Sequence, residues 1–157
     1  MEQKNIMMRA INEARRTMTL GYGGPFGAAV VNKHGHIISV ASNTVLRDHD
    51  PTAHAEINAI RLACAYLGTH DLSDCELYTT AQPCPMCLSA TIWANIKKIH
   101  YGCTAEDAEA IGFRDQYIYD FIEGNCKDSD VAEMDVVEHD RCLELFKDYH
   151  DNNFEMY

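Results

Sequence analysis

Two short segments restrict this chain more than anything else in it: Thr52-Ala53-His54-Ala55-Glu56 and Gln82-Pro83-Cys84-Pro85-Met86-Cys87. Each follows a β-prone stretch and opens a helix. Asp50-Pro51-Thr52 reads as a helix start, and the helix runs from about Ala53 to Leu67, where Gly68 stops it. Pro85 suits the first position of a second helix ending near Ala94. Cys84 and Cys87, three apart, put both sulfurs on one face of that helix start. Unpaired amides and the positive helix end favour thiolate there. Two thiolates and the imidazole of His54 make a good zinc set, so two helix N-termini are expected to converge on one ion. Three protein ligands leave one position for water, as in a catalytic site. Glu56 need not bind the same ion. A carboxylate beside such a water can take its proton and later return it to a substrate. A closed zinc site completed by Cys64, Cys75 or Cys103, or a redox pair, is the alternative; neither employs Glu56.

The rest of the pattern alternates strands with helices. Residues 4–20 read as a helix with Met7, Ile11, Ala14 and Met18 as its apolar stripe. Phe26–Asn32 and His36–Ala41 form a hairpin around Lys33-His34-Gly35. Glu76–Thr80 and Lys98–Gly102 are a third and a fourth strand. Short helices are expected at Ala105–Ala110 and Asp115–Ile122, a fifth strand at Met134–Glu138, and a last helix at Arg141–His150. This predicts a three-layer α/β/α fold on a mixed five-stranded sheet. Trp93 falls in an apolar helical pattern and reads as core. His34, His36, His49 and His70 fall in polar stretches and read as solvated.

With 157 residues, 46% hydrophobic and 24% charged, the chain fits one domain, residues 1–157. No apolar run reaches the roughly 18 residues of a membrane span, and Met-Glu-Gln-Lys-Asn predicts no secretory signal. Seven cysteines, an odd number, argue for metal ligands in a reducing cytoplasm over a disulfide framework. The net charge is −11. Residues 1–104 hold nine Lys/Arg and eight Asp/Glu, whereas residues 105–157 hold four and sixteen. An acidic end of that kind repels phosphate, so no nucleic-acid partner is expected.

His-x-Glu followed by Pro-Cys-x-x-Cys is the zinc deaminase signature, and on these residues the chain resembles the cytidine deaminase superfamily. Gly23-Gly24-Pro25-Phe26-Gly27-Ala28, Asn43, Gly112-Phe113-Arg114-Asp115 and Tyr117-Ile118-Tyr119 narrow the resemblance to the bacterial guanine deaminase family, over nearly the whole chain. The resemblance implies one zinc per subunit on His54, Cys84 and Cys87, with Glu56 shuttling protons. It implies that the amides of Ala55 and Cys84 support the tetrahedral centre. Asn43 and Asp115 would contact the base edge and Phe26 would stack on the ring. It further implies hydrolysis of guanine to xanthine and ammonia, as in purine metabolism. The expected assembly is a homodimer whose C-terminal segment, about 140–157, crosses over so that Tyr157 closes the partner's site. Guanosine or another amino-heterocycle, tRNA adenosine, and a non-catalytic zinc scaffold are the competing readings. Gln82 departs from the family, which commonly carries Glu there.

Overall fold

The computed structural model describes residues 2–157, which divide into two units, residues 2–119 and 120–157. The first unit is built on one mixed sheet. Strands β1 (Gly27–Asn32), β2 (Ile37–Ser42), β3 (Cys75–Ala81) and β4 (Ile99–Cys103) lie in the order β2-β1-β3-β4. The β1 strand pairs antiparallel with β2 and β3, while β3 pairs parallel with β4. The β1–β2 turn is held by Asn32, whose side-chain oxygen accepts the amides of His34 and His36 at 2.9 and 3.0 Å. Gly35 takes the left-handed conformation at φ 78°.

The period-2 alternation of β1 divides its residues between two cores. Ala28 and Val30 join Leu77, Ala55, Ala59 and Ala63 on one face, under helix α3 (Ala55–Leu67). Ala29 and Val31 join Tyr78 and Ile6 on the other, under helix α1 (Gln3–Thr19). Helix α4 (Pro85–Trp93) packs beside α3. Helices thus cover both faces, as expected. Small side chains let them lie close. Gly27 faces the carbonyl of Ala10 so tightly that an added Cβ would come within 2.0 Å of that oxygen. The tight approach also rotates α1 away from the expected stripe. Its buried residues are Ile6, Ala10, Ala14 and Thr17, while Met18 is exposed.

Helix α2 (Val45–Asp48) is a single turn within the polar stretch after β2. Gly68 caps α3 in the left-handed conformation, with its amide on the Cys64 carbonyl. Helix α5 (Ala105–Ala110) opens with a reciprocal Thr104–Asp107 capping box. Helices α6 (Gln116–Glu123) and α7 (His139–Asp151) complete the helices described.

Among the described residues the sheet has four strands, not five. Met134–Glu138 carries no ladder, and Met134, Val136 and Val137 are all exposed. Two adjacent valines among acidic neighbours suffice for a strand-like pattern, but neither face of the segment is buried, so nothing selects the extended ladder. Trp93 is also not core. It ends α4, where it is 72% exposed beside exposed Ile92, while the buried face of that turn is Thr91 and Ala94. No helix among the described residues is long and apolar enough to cross a membrane.

Candidate active site

The site forms where α3 and α4 begin. His54 is the N-cap of α3 and Cys84 the N-cap of α4. The Cys84 sulfur accepts the Cys87 amide at 3.5 Å, so ligand and helix cap are one atom, and Pro85 fills the first turn. His54 Nδ1 lies 3.6 Å from the sulfur of Cys84 and 3.5 Å from that of Cys87. Tetrahedral zinc, with Zn–N about 2.0 Å and Zn–S about 2.3 Å, separates its nitrogen and sulfur ligands by about 3.5 Å. The donor set therefore fits zinc, through Nδ1 of the imidazole. These three are the one His/Cys/Asp/Glu group among the described residues arranged to hold a metal. No fourth cysteine joins them, which removes the closed-site alternative.

Hydrogen bonding sets the charges. The Cys87 thiol, the His54 ring and the Cys87 amide hold the Cys84 thiol far below the usual range, at about 4. The two thiols titrate as a pair. The first charge settles on Cys84, and that charge together with burial pushes Cys87 up. The same Cys84 sulfur raises His54. One thiolate, a thiol that a bound metal ion would deprotonate and a ring nitrogen suit a divalent cation.

Glu56 occupies the first turn of α3 and is buried, 6% exposed. Burial pushes its carboxyl up, opposed by hydrogen bonds from Cys87 and Thr79. The Thr79 hydroxyl lies 3.1 Å from Glu56 Oε1. Ala55 is the first residue of α3, so its amide is among those with no acceptor inside the helix.

Asn43 is buried behind the Gly23-Gly24 turn. Its side-chain oxygen accepts the amides of Gly24 and Val45 at 3.3 and 3.1 Å, which leaves its NH2 group as the donor it can offer a ligand. An added Cβ on Gly23 would fall 2.2 Å from that oxygen. Phe26 meets Phe113 edge to face, with centroids 5.0 Å apart, and Gly24 leaves room beneath both rings. Asp115 is half-buried in the loop that carries Phe113, and its carboxyl is raised by burial and then by the charge on Cys84. Tyr157 belongs to the second unit and is 84% exposed. His34, His36, His49 and His70 are exposed, as expected.

No role was expected for three further contributors. Thr79 looks like any strand threonine. Phe113 is an aromatic in a loop. Tyr119 donates its hydroxyl to the Pro83 carbonyl at 3.3 Å, next to Cys84. Gln82 has a packing role: its side-chain oxygen accepts the Ala105 amide at 3.2 Å and ties β3 to the start of α5.

Comparison with known proteins agrees with this geometry. The family model of the cytidine and deoxycytidylate deaminase zinc-binding region matches residues 1–103. Guanine deaminase of Bacillus subtilis (strain 168) is 46% identical over 123 residues, 78% of this chain and 78% of that protein. An X-ray structure of guanine deaminase from Bacillus subtilis superposes with a TM-score of 0.93 at 39% identity, covering 100% of this chain and 99% of that one. The tRNA-specific adenosine deaminase of Aquifex aeolicus is 48% identical over 90 residues, 57% of this chain and 58% of that protein. The chain belongs to the cytidine and deoxycytidylate deaminase family, in its guanine deaminase branch.

Proposed function

We propose that this protein hydrolyses guanine to xanthine and ammonia at the centre formed by His54, Cys84, Cys87 and Glu56. The choice of base is argued from Asp115, a half-buried carboxylate two residues after Phe113, whose ring meets Phe26. An ionised carboxylate only accepts hydrogen bonds. Guanine offers it N1–H, whereas adenine has a bare acceptor at that position. Asn43, its oxygen already engaged by two backbone amides, supplies the complementary donor. The Phe26–Phe113 pair provides apolar ring surface for a planar base.

Zinc, when held by His54 Nδ1 and the two thiolates, supplies Lewis acidity and lowers the pKa of the attacking water. Glu56 accepts that water's proton and delivers it to the ring nitrogen adjacent to C2. It then carries the second proton to the departing amine, so one water is consumed and one ammonia leaves. Burial keeps Glu56 away from bulk water, so its proton goes to the substrate. The amides of Ala55 and Cys84 support the tetrahedral carbon.

The substrate assignment is tested by ammonia release from guanine, guanosine, adenine, cytosine, cytidine and an adenosine-bearing tRNA hairpin. Guanine alone is expected to turn over. Asp115→Asn presents an NH2 to N1–H and should lower kcat/KM for guanine by about 100-fold, at roughly 1–3 kcal/mol for an unpaired buried group. A wild-type value in that variant, or preferential turnover of the tRNA, refutes the base assignment.

We further infer a homodimer formed from single-domain subunits of residues 1–157, which exchange their C-terminal segments over about 140–157. The support is the apolar surface left exposed: Leu62 and Tyr66 on α3, Ile92 and Trp93 on α4, and Leu145 and Phe146 on α7. In such a dimer Tyr157 closes the partner's site, which leaves little room for a ribose. Seven unpaired cysteines are consistent with a reducing, cytoplasmic setting. Light scattering should give twice the 17.7 kDa chain mass; a monomer at micromolar concentration contradicts the inference.

A further inference from the structure

Glu56 must present one oxygen to the reacting atoms while sitting in a buried space with two oxygens of its own. Something has to hold the other. Its immediate neighbour on the sheet is Thr79, which lies in the middle of β3 between Ala28 of β1 and Tyr101 of β4. Thr79 is 0% exposed, so its hydroxyl has no solvent to bond with. Two acceptors lie within reach: Glu56 Oε1 at 3.1 Å and the Ala81 carbonyl at 2.8 Å. A hydroxyl has one hydrogen, so it serves one of these acceptors at a time, and its lone pairs remain available to a proton on the other. It can therefore donate to Glu56, or turn to Ala81 and accept from Glu56, with no rotation of the carboxyl group. A purely structural threonine needs only the Ala81 bond. The second contact aims Thr79 at the proton-carrying group.

We propose that Thr79 is a positioning residue for Glu56: its hydroxyl anchors Oε1 and so fixes which carboxyl oxygen faces the His54–Cys84–Cys87 centre. This rests on the reading of Glu56 as the proton shuttle. The placement explains the residue type. Valine has the same outline but neither donates nor accepts, and a free carboxyl rotor misplaces the reacting oxygen by an ångström or more. Misplacements of about 1 Å can cost about 100-fold in rate.

The test uses the full-length, zinc-loaded protein with guanine. Thr79→Val is expected to keep one zinc per chain and a KM within about twofold of wild type, while kcat falls about 10- to 100-fold. Thr79→Ser, which keeps the hydroxyl and removes only the methyl, should return kcat to within about threefold. A structural role would not give this split, because loosened packing lowers zinc content and moves KM together with kcat. If Thr79→Val does not fold, the comparison is made between Thr79→Ala and Thr79→Ser, with the same ratio of kcat expected. Wild-type kcat in the hydroxyl-free variants overturns the proposal, as does a loss that serine fails to repair. Glu56→Gln run alongside separates the two readings. If it is inactive while Thr79→Val is fully active, only the positioning role fails. If Glu56→Gln itself turns over normally, the shuttle reading fails and Thr79 falls with it.

Discussion

Glu56→Gln should give a folded, zinc-loaded protein whose guanine turnover is lower by about 10²- to 10⁴-fold, the range for loss of a positioned general acid–base group. The physical basis is narrow. The three atoms arranged to hold a metal, His54 Nδ1 and the sulfurs of Cys84 and Cys87, do not include Glu56, so zinc content should stay near one per chain. Glutamine keeps the shape and can still bond to Thr79, so the fold is preserved. What disappears is the ability to accept and return a proton in a space from which water is excluded. KM should change little, because base recognition is assigned to Asn43, Asp115 and Phe26. Steady-state kinetics with metal analysis checks both halves. Loss of zinc in this variant would make Glu56 a ligand, and normal turnover would remove it from the reaction.

The second large effect concerns the metal. Cys87→Ala should abolish both zinc retention and turnover, whereas Cys103→Ala should leave both unchanged. Cys87 is fully buried and lies on the inner side of α4, while Cys103 is exposed at the end of β4. Removing one of three protein ligands sacrifices a large part of a binding energy of about 10–16 kcal/mol for cysteine-rich zinc sites. It also removes the Cys87 thiol that hydrogen-bonds the Cys84 thiolate. Because both α3 and α4 begin at this centre, stability should fall with the metal. Chelating the wild-type protein should lower its thermal midpoint in the same direction, and adding zinc back should restore it. A Cys87→Ala protein that keeps one tightly held zinc contradicts the ligand set.

Much of this was legible in the chain because the site coincides with helix starts. A proline at the first helical position, a cysteine at the cap and a histidine at the other cap are local signals, and they place three ligands with no knowledge of the sheet. The hairpin around Gly35 and the stop at Gly68 were legible for the same reason, since backbone conformation at a glycine is a local property. What failed depends on packing between distant segments. The stripe on α1 turned by one position because Gly27 brings β1 against Ala10, which no periodicity within α1 can report. Trp93 sits in an apolar run yet faces outward, since α4 buries only Thr91 and Ala94 on that turn. The segment at Met134 carries β-branched residues and still forms no strand. Thr79 was invisible because its importance lies in which residue it faces across the layer, and β-strand parity alone does not say what covers a face. Gln82, where the family commonly carries Glu, accepts the Ala105 amide at the start of α5, a contact between distant segments.

The most direct measurement is zinc titration of the metal-free, full-length chain, following xanthine and ammonia formed from guanine at each step. The account predicts equal amounts of the two products, with activity rising in proportion to bound zinc and levelling at one zinc per chain. A folded protein that binds one zinc on His54, Cys84 and Cys87 and leaves guanine intact, or one that deaminates guanine equally well without the metal, would contradict it.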